Sequence, residues 1–283
     1  MSRKIIYIMG GGRSGTTLLD IILGNSNQAF SLGEILKFLE LEGVPHNSQE
    51  GDEVWSFYQP IYQQLRNSTD LEGLSKIANE FEYHSNYLNV LFWLKSAKKK
   101  KLYANYVNKV FDILFEASKA EILIDSSKYP ARAMALSKVL KHEIAFVYIQ
   151  RDPVKVIESF GKKNLEQPSK STFSAFIYYV FVNLGCQLSL RILKTRHSTI
   201  QIKYEDLVQS PSEVIELISN KLQIDADELI TKLQRDEAIQ VGKLFEGNRI
   251  RLKQEITIKR SVSSNEGRSL KQFIVRLLTK WIY

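Results

Sequence analysis

Residues 4–19 read Lys-Ile-Ile-Tyr-Ile-Met-Gly-Gly-Gly-Arg-Ser-Gly-Thr-Thr-Leu-Leu, an apolar run that leads into a glycine-rich turn and then a helix start. Such a turn gathers backbone N–H groups and the positive end of a helix dipole around one point, which predicts a site for phosphate or sulfate. Arg13 adds a planar cationic group, and the hydroxyls of Thr16 and Thr17 add further donors. The stretch therefore predicts a parallel strand, an anion-binding loop at Gly12–Thr17 and a following helix.

This loop is close to the nucleotide-binding P-loop but departs from it at one position. Gly10 and Gly15 have the spacing of the GxxxxGK[ST] motif, yet Thr16 stands where that motif has lysine. The cation lies earlier, at Arg13. A plain strand-to-helix turn would explain the glycines but not the Arg-Ser-Gly-Thr-Thr string, in which Ser14 is the remaining polar member.

Length and composition indicate an ordinary globular protein. The 283 residues fit one domain, 1–283, with a helical insertion at about 49–119. The net charge of +8 favours anionic partners without choosing among nucleotides, nucleic acid and anionic membranes. Four consecutive lysines, Lys98–Lys101, suggest nucleic acid, but no second basic cluster accompanies them, so a solvated helix end is the preferred interpretation and no nucleic-acid partner is expected.

The single cysteine, Cys186, excludes an internal disulfide, and its apolar neighbours indicate a buried structural thiol. A reducing compartment is expected. The N-terminus leaves no room for a signal peptide before the first strand, and no window approaches the apolar length needed to cross a bilayer. We therefore expect a cytoplasmic protein without a transmembrane segment. The four histidines lack metal-ligand spacing, so no metal site is expected.

Short apolar runs alternate with longer helical patterns, which predicts an α/β fold: a P-loop-like, three-layer arrangement with a central parallel sheet flanked by helices. Functional side chains should collect at the carboxyl ends of the strands. Residues 49–119 contain amphipathic stretches and no convincing strand, which predicts a helical insertion over the site, and Phe173–Arg196 has the pattern of a core helix. The predicted strands are Lys4–Met9, Ala29–Leu32, Glu121–Asp125, Ala145–Gln150 and Thr199–Lys203.

A second candidate for anion binding follows the fourth predicted strand. Arg151 ends that strand, Pro153 suits the first turn of a helix, and Ser159 lies about two turns further on. Arg151 and Ser159 are placed to hold a second phosphate. Taken alone, Arg151 would be better explained by a pair with Asp152 or by a helix end.

Three further strings are candidates for the same site. Asp125 and Lys128 follow a buried strand, and Asp125 has the position of the acid that holds Mg²⁺ in P-loop ATPases. Tyr204 begins a Tyr-Glu-Asp-Leu string at the end of the last strand. A polar, basic turn contains Gly247-Asn248 and Arg251.

Together these strings resemble the sulfotransferases that use 3′-phosphoadenosine 5′-phosphosulfate (PAPS), over residues 4 to about 258. The resemblance implies that Arg13, Ser14, Gly15, Thr16 and Thr17 grip the 5′-phosphosulfate. It implies that Arg151 and Ser159 hold the 3′-phosphate, that Tyr204 lies near the nucleotide, and that the loop with Arg251 closes over it.

Gly33-Glu34 stands 21 residues after Arg13, as a Gly-Glu pair does in the tyrosylprotein sulfotransferases and their bacterial relatives. The resemblance implies that Glu34 is the base and that Lys128 and Arg13 stabilise the transferring sulfuryl group. Without it, Glu34 would be read as a carboxylate at a helix N-terminus. The chain departs from relatives after Ile258, where Lys-Arg-Ser-Val replaces their Asp and Trp, and it does not inherit a protein-tyrosine substrate.

The sequence therefore predicts a sulfotransferase that uses PAPS, without a metal, on a small-molecule, carbohydrate or lipid acceptor. One alternative is a P-loop kinase or NTPase, which Thr16 disfavours. The other is a nucleotide- or nucleic-acid-binding module without turnover. The acceptor and the oligomeric state are not readable from the sequence.

Overall fold

Five parallel strands form the central sheet in the order β2-β3-β1-β4-β5. The computed structural model describes residues 3–69, 71, 73–161, 170–258 and 270–283. The five predicted strands are all present, and the largest difference is at β3, which continues to Lys128. The strands are β1 (Lys4–Gly10), β2 (Ala29–Gly33), β3 (Ile122–Lys128), β4 (Glu143–Gln150) and β5 (Thr199–Lys203).

The sheet is covered on both faces, which explains why its central strands β1 and β4 are continuous apolar runs. In β1, Ile5, Tyr7 and Met9 pack into one hydrophobic core, while Ile6 and Ile8 pack into a second core on the opposite face. Because successive side chains of a strand point to opposite faces, each core takes every second residue. The predicted three-layer α/β fold is confirmed.

Twelve α-helices are described: α1 (Thr16–Leu23), α2 (Glu53–Ser68), α3 (Leu74–Glu82), α4 (Tyr87–Leu91), α5 (Ala97–Ser118), α6 (Pro130–Val139), α7 (Pro153–Gly161), α8 (Thr172–Leu193), α9 (Tyr204–Gln209), α10 (Pro211–Leu222), α11 (Asp227–Gln234) and α12 (Leu270–Thr279). Helices α2–α6 and α8 contribute to the first core, and α1, α9, α10 and α11 contribute to the second. Cys186 of α8 is fully buried in the first core, and burial raises the pKa of its thiol.

Residues 49–119 hold α2–α5 and a short 3-10 turn, and none of their described residues lies in a strand. Asp52 begins α2 by accepting a hydrogen bond from the Trp55 N–H, and Ser96 begins α5 in the same way through the Lys99 N–H. These caps follow the preference for aspartate and serine at helix starts.

Helix α8 differs from the predicted core helix because only one of its faces is buried. Tyr179, Val182 and Cys186 are buried, whereas Phe173, Ile177, Phe181, Leu184, Leu188 and Ile192 are exposed. By length and composition α8 could cross a membrane, contrary to the sequence expectation, with 39% of its apolar window buried. A core helix can pass the same test, and the buried face of α8 packs on β4, α6 and α7.

A two-stranded antiparallel hairpin was not predicted from the sequence. It pairs β6 (Ile239–Gln240) with β7 (Glu255–Ile256). Strands of two residues carry too little periodicity to be recognised. The hairpin supports the loop between them, which brings Gly247 and Asn248 beside α1, where the Asn248 N–H donates to Thr17 Oγ1 at 3.1 Å.

Candidate active site

A cleft of about 200 Å³ lies at the carboxyl ends of β1, β3 and β4 and brings together ten of the predicted site residues. Leu18, Gly247, Asn248 and Ile250 complete its lining. No described residue of 49–119 lines this cleft, so the helical region packs beside it rather than over it. The predicted residues in the lining are Gly12, Arg13, Gly15, Thr16, Thr17, Glu34, Lys128, Arg151, Ser159 and Tyr204.

The loop between β1 and α1 has the form of an anion site. Gly15 begins α1 with φ +97°, and a Cβ at this position would collide with the ring of Tyr204, so the turn requires glycine. Thr16 and Thr17 follow as the first residues of the helix, where backbone N–H groups lack partners within the helix. Ser14 is buried and does not line the cleft, and its Oγ donates to the Gly11 carbonyl at 2.6 Å. Ser14 therefore shapes the turn.

Arg13 and Arg151 lie against each other at the cleft. Arg13 has a left-handed backbone with φ +70°, and its carbonyl accepts a hydrogen bond from Arg151 Nη1 at 3.0 Å. The Arg13 guanidinium lies 5.8 Å from the ring centre of Phe160, and that of Arg151 lies 4.2 Å from the ring centre of Tyr204. The aromatic faces orient both cations without neutralising them.

The pair of Arg151 with Asp152 that was considered from the sequence is not formed. Asp152 accepts from the Val154 N–H at 2.8 Å and pairs with Arg276 at 2.9 Å. Arg151 Nε is buried and has no hydrogen-bond partner among the described residues. Arg151 lines the same cleft as Ser159, and its unsatisfied donor suits an anionic ligand.

Glu34 and Lys128 form a buried ion pair in the cleft, with 2.5 Å between Oε1 and Nζ. Burial alone would raise the pKa of Glu34, but the ammonium groups of Lys128 and Lys37 outweigh it, so the pKa lies below its usual value. For Lys128, burial lowers the pKa and Glu34 raises it, and the result is a raised pKa. Both groups are therefore charged at neutral pH.

The backbone places these two side chains precisely. Gly33 has φ +71°, and a Cβ there would collide with the carbonyl of Glu246, which accepts a hydrogen bond from the Glu34 N–H at 3.0 Å. Lys128 also has a left-handed backbone, with φ +64°, at a point where the pairing of β3 with β1 shifts register. The strand end is thereby turned toward the cleft.

The family model described as "Sulfotransferase family" matches residues 6–228. This chain belongs to the sulfotransferase family. Its general activity is therefore sulfuryl transfer, and the cleft is the candidate active site.

Two solved structures of sulfotransferase domains have the same fold. The domain from the Synechococcus PCC 7002 olefin synthase is 22% identical, with 99% of this chain and 95% of that chain covered and a TM-score of 0.55. The domain from the curacin biosynthetic pathway is 19% identical, with 98% of each chain covered and a TM-score of 0.56. No curated protein sequence matches the chain significantly.

Asp125 does not take the position of a magnesium ligand in this sulfotransferase, contrary to the alternative drawn from P-loop ATPases. Its side chain is fully buried and accepts from Arg132 Nη2 at 2.9 Å. Arg132 also pairs with Glu82, whose Oε1 accepts from the Tyr103 hydroxyl. Asp125 belongs to the core beneath the cleft, and the described residues contain no group of three or more His, Cys, Asp or Glu placed to hold a metal.

Arg251 supports the loop over the cleft without lining the cleft. Its guanidinium donates to the carbonyl of Gly247 at 3.2 Å and to that of His46 at 3.0 Å. Glu246, which the sequence analysis did not identify, accepts from the His46 N–H at 2.6 Å and lies 3.6 Å from Lys37. These contacts hold the loop against the segment that carries Glu34.

Two aromatic residues beside the loop were also missed. The Tyr178 hydroxyl accepts from the Gly12 N–H at 2.9 Å, and the Phe160 ring packs against Tyr178. No sequence signal connects Tyr178 with Gly12, because 166 residues separate them.

Lys98–Lys101 occupy the first turns of α5, and none of the four lines the cleft. Lys99 pairs with Glu80 at 2.6 Å, and the Lys100 ammonium lies 5.4 Å from the ring centre of Trp93.

Proposed function

We propose that this sulfotransferase moves the sulfuryl group of PAPS to a hydroxyl or amine acceptor and releases adenosine 3′,5′-bisphosphate. The observation that carries the proposal is the Glu34–Lys128 pair in the same cleft as the anion-binding loop. In this arrangement a carboxylate and its paired ammonium lie next to the loop that would bind the anionic group of the donor.

The loop residues Gly12–Thr17 would hold the 5′-phosphosulfate through backbone N–H groups, the threonine hydroxyls and Arg13. Arg151 and Ser159 would hold the 3′-phosphate. The buried, unsatisfied Arg151 Nε supports this assignment, since a phosphate oxygen would give it the partner that the described residues do not. The Tyr204 ring lies against the Arg151 guanidinium and would help to hold that cation in place.

In the transfer step, the acceptor oxygen attacks sulfur, and the bond from sulfur to the 5′-phosphate oxygen breaks. The electron pair of that bond leaves with adenosine 3′,5′-bisphosphate, and the acceptor's proton passes to Glu34. Arg13 and Lys128 would oppose the negative charge that develops on the sulfuryl and bridging oxygens. Most of the acceleration then comes from positioning and charge stabilisation, as in phosphoryl transfer.

Lys128 would exchange partners during this cycle. While it holds Glu34, the pKa of Glu34 is lowered and the carboxylate is a weak base. A sulfuryl group beside Lys128 competes for the ammonium, and Glu34 then faces burial with less compensation, so its pKa rises. Binding of the donor would therefore strengthen the base at the moment when an acceptor proton has to be removed.

The direct test is a thermal-shift comparison of nucleotides, followed by transfer of labelled sulfate from PAPS. Adenosine 3′,5′-bisphosphate should raise the melting temperature without Mg²⁺, because the fixed cations of the cleft replace a metal. Stabilisation by Mg²⁺–ATP alone would instead favour the kinase reading. Binding of adenosine 3′,5′-bisphosphate without any transfer from PAPS to a broad extract of hydroxylated metabolites would favour a non-catalytic module.

A further inference from the structure

An apolar groove runs between α4 and α8 on the side of the sheet that carries the first core. Its volume is about 410 Å³. Leu88 of α4 lies on one side, and Phe181, Leu184 and Leu188 of α8 lie on the other. All four are exposed, Leu88 to 64% and Phe181 to 57%, so the groove has no cover among the described residues.

The inner end of the groove carries a polar group without a partner. Both ring nitrogens of His84 are buried and make no hydrogen bond to any described residue. Burial, and to a smaller extent the charge of Lys128, lowers the pKa of His84 to about 4, so the imidazole is neutral at pH 7. A neutral imidazole has one donor and one acceptor, which a hydroxyl group can satisfy together.

This end of the groove borders the catalytic cleft. The His84 ring lies 3.9 Å from the ring centre of Tyr129, which directly follows Lys128 in the chain. The ring centre of His84 also lies 6.3 Å from that of Tyr178, whose hydroxyl accepts from the Gly12 N–H. His84 therefore packs against two tyrosines that adjoin the residues of the catalytic cleft.

The outer end of the groove is cationic. Arg191 lines it there and is exposed. From Phe181 to Arg191 the helix rises about 15 Å. A ligand that fills the groove thus meets a polar acceptor–donor group at one end, an apolar wall along its length and a positive charge at the other end.

We propose that this groove binds the sulfate acceptor, and that the acceptor is an amphiphilic alcohol: a hydrocarbon chain with a hydroxyl group near His84 and an anionic group near Arg191. The inference rests on the proposed sulfuryl transfer and adds the class of acceptor. The charge of Arg191 favours a ligand with an anionic group over a purely apolar one. The unsatisfied imidazole of His84 favours a ligand with a hydroxyl group over a plain fatty chain.

The test measures binding of 10-hydroxydecanoate by calorimetry, with and without adenosine 3′,5′-bisphosphate, and its sulfation with labelled PAPS. Decanoate, which lacks the hydroxyl, and 1-decanol, which lacks the carboxylate, are the matched ligands. We expect each to bind about tenfold more weakly than 10-hydroxydecanoate, as a missing hydrogen bond or charge contact predicts.

Four variants locate the ligand. Leu188→Glu puts a charge on the apolar wall and should weaken binding at least about tenfold, whereas Ile177→Glu, equally on the exposed face of α8 but outside the groove, should not. His84→Phe should remove the preference for 10-hydroxydecanoate over decanoate, and His84→Asn should restore part of it. Affinity for adenosine 3′,5′-bisphosphate should stay unchanged in all four proteins.

The outcomes separate the two proposals. If the unsubstituted protein does not bind adenosine 3′,5′-bisphosphate, the proposed function is overturned. In that case, weaker binding of 10-hydroxydecanoate to the Leu188→Glu variant would still support the groove as a ligand site. Nucleotide binding together with no binding of 10-hydroxydecanoate, or equal effects of Leu188→Glu and Ile177→Glu, would overturn the groove. A dimer that Leu188→Glu dissociates, without ligand binding, would assign this face to a second copy of the chain and overturn it as well.

Discussion

Two clusters of paired charges start from β3, one at Asp125 and one three residues later at Lys128. Comparing them shows how a structural ion pair differs from one in a candidate active site. Asp125 joins Arg132 and Glu82 beneath the sheet's end, and Lys128 joins Glu34 in the cleft. In both clusters all charged side chains are buried. Burial and pairing alone therefore do not identify a catalytic group.

The clusters differ in how fully their hydrogen-bonding capacity is used. Arg132 donates from Nε at 3.1 Å and from Nη2 at 2.9 Å to Asp125, and from Nη1 to Glu82. Within the described part of the chain, the Lys128 ammonium donates one hydrogen bond, to Glu34, and both of these residues line the cleft. A saturated pair fixes the fold, whereas a pair with open positions beside a cavity can change partners.

The protonation of the carboxyl groups also differs. Glu34 lies near both Lys128 and Lys37 and has a lowered pKa. For Glu82, burial and the charge of Asp125 outweigh the single Arg132 guanidinium, and the pKa is raised. Burial is the largest cause for both groups and raises the pKa, and the nearby cations offset it at Glu34 but not at Glu82.

The largest expected effect comes from breaking the cleft pair with Glu34→Gln. Turnover should fall by about 10²–10⁴-fold, because the amide cannot accept the acceptor's proton. Affinity for adenosine 3′,5′-bisphosphate should remain, since Glu34 does not hold the nucleotide. Single-turnover kinetics and calorimetry measure the two quantities, with exposed Glu228→Gln as control. A fully active Glu34→Gln enzyme would remove Glu34 from the mechanism.

Breaking the cluster of Asp125, Arg132 and Glu82 should act on stability instead. Arg132→Met leaves two carboxylates buried without a cation, and unfolding free energy should fall by about 3–5 kcal/mol. Urea denaturation checks this, with Arg235→Met, an exposed site, as the control. If Arg132→Met kept its stability and lost only turnover, the assignment of this cluster to the core would be wrong.

The sequence predicted the central strands well because they are apolar runs bounded by polar residues, as in β4, and it predicted the edge strand β5 from its β-branched residues Thr199, Ile200 and Ile202. It also predicted most of the cleft, since loop and strand-end residues such as Arg13 and Arg151 meet wherever parallel strands share an edge. Whether Glu34, Lys128 or Arg13 performs the assigned chemistry stays a prediction.

Contacts between residues that are far apart in the sequence could not be predicted from it. Tyr178 lies in a helix whose pattern indicates core, and its contact with Gly12 arises only when α8 crosses the sheet. Asp125 has the sequence position expected for a metal-binding acid, but it pairs in the core with Arg132, which lies seven residues further on in α6. The partner, rather than the position on the strand, decided its role.

Asp20 extends the comparison, because it is a buried carboxyl to which no cation bonds among the residues that the structure describes. Burial raises its pKa to about 7, although the Ser126 hydroxyl and the Gly33 N–H bond to it. Since the folded state keeps a proton that the unfolded state loses above pH 4, stability contributed by this site falls as pH rises toward 7, by about 2–3 kcal/mol from pH 5 to pH 7.

Asp20→Asn should remove that part of the pH dependence. Urea unfolding at pH 5 and pH 7 measures it. Between these pH values the unfolding free energy should fall more steeply in the unsubstituted protein than in Asp20→Asn. Identical slopes would mean that Asp20 is ionised in the folded protein throughout this range.

The smallest effect concerns the rim of the cleft. Arg151→Ala should weaken binding of adenosine 3′,5′-bisphosphate by about tenfold through loss of charge-assisted hydrogen bonds, with turnover at saturating PAPS less affected. Lys98→Ala, on the exposed start of α5, is the control and should change nothing. Tight, salt-sensitive RNA binding that survives Arg151→Ala would favour a nucleic-acid partner instead.

The left-handed backbone at Arg13 and Lys128 has a consequence for the evolution of this enzyme. Glycine adopts this conformation without steric cost, so the backbone at both positions favours glycine over a cation. At Lys128 this preference is opposed, because glycine there would leave Glu34 buried without its paired cation. A library sorted first for thermostability and then for sulfuryl transfer should therefore lose the cation at Arg13 in the first sort and keep Lys128 through both.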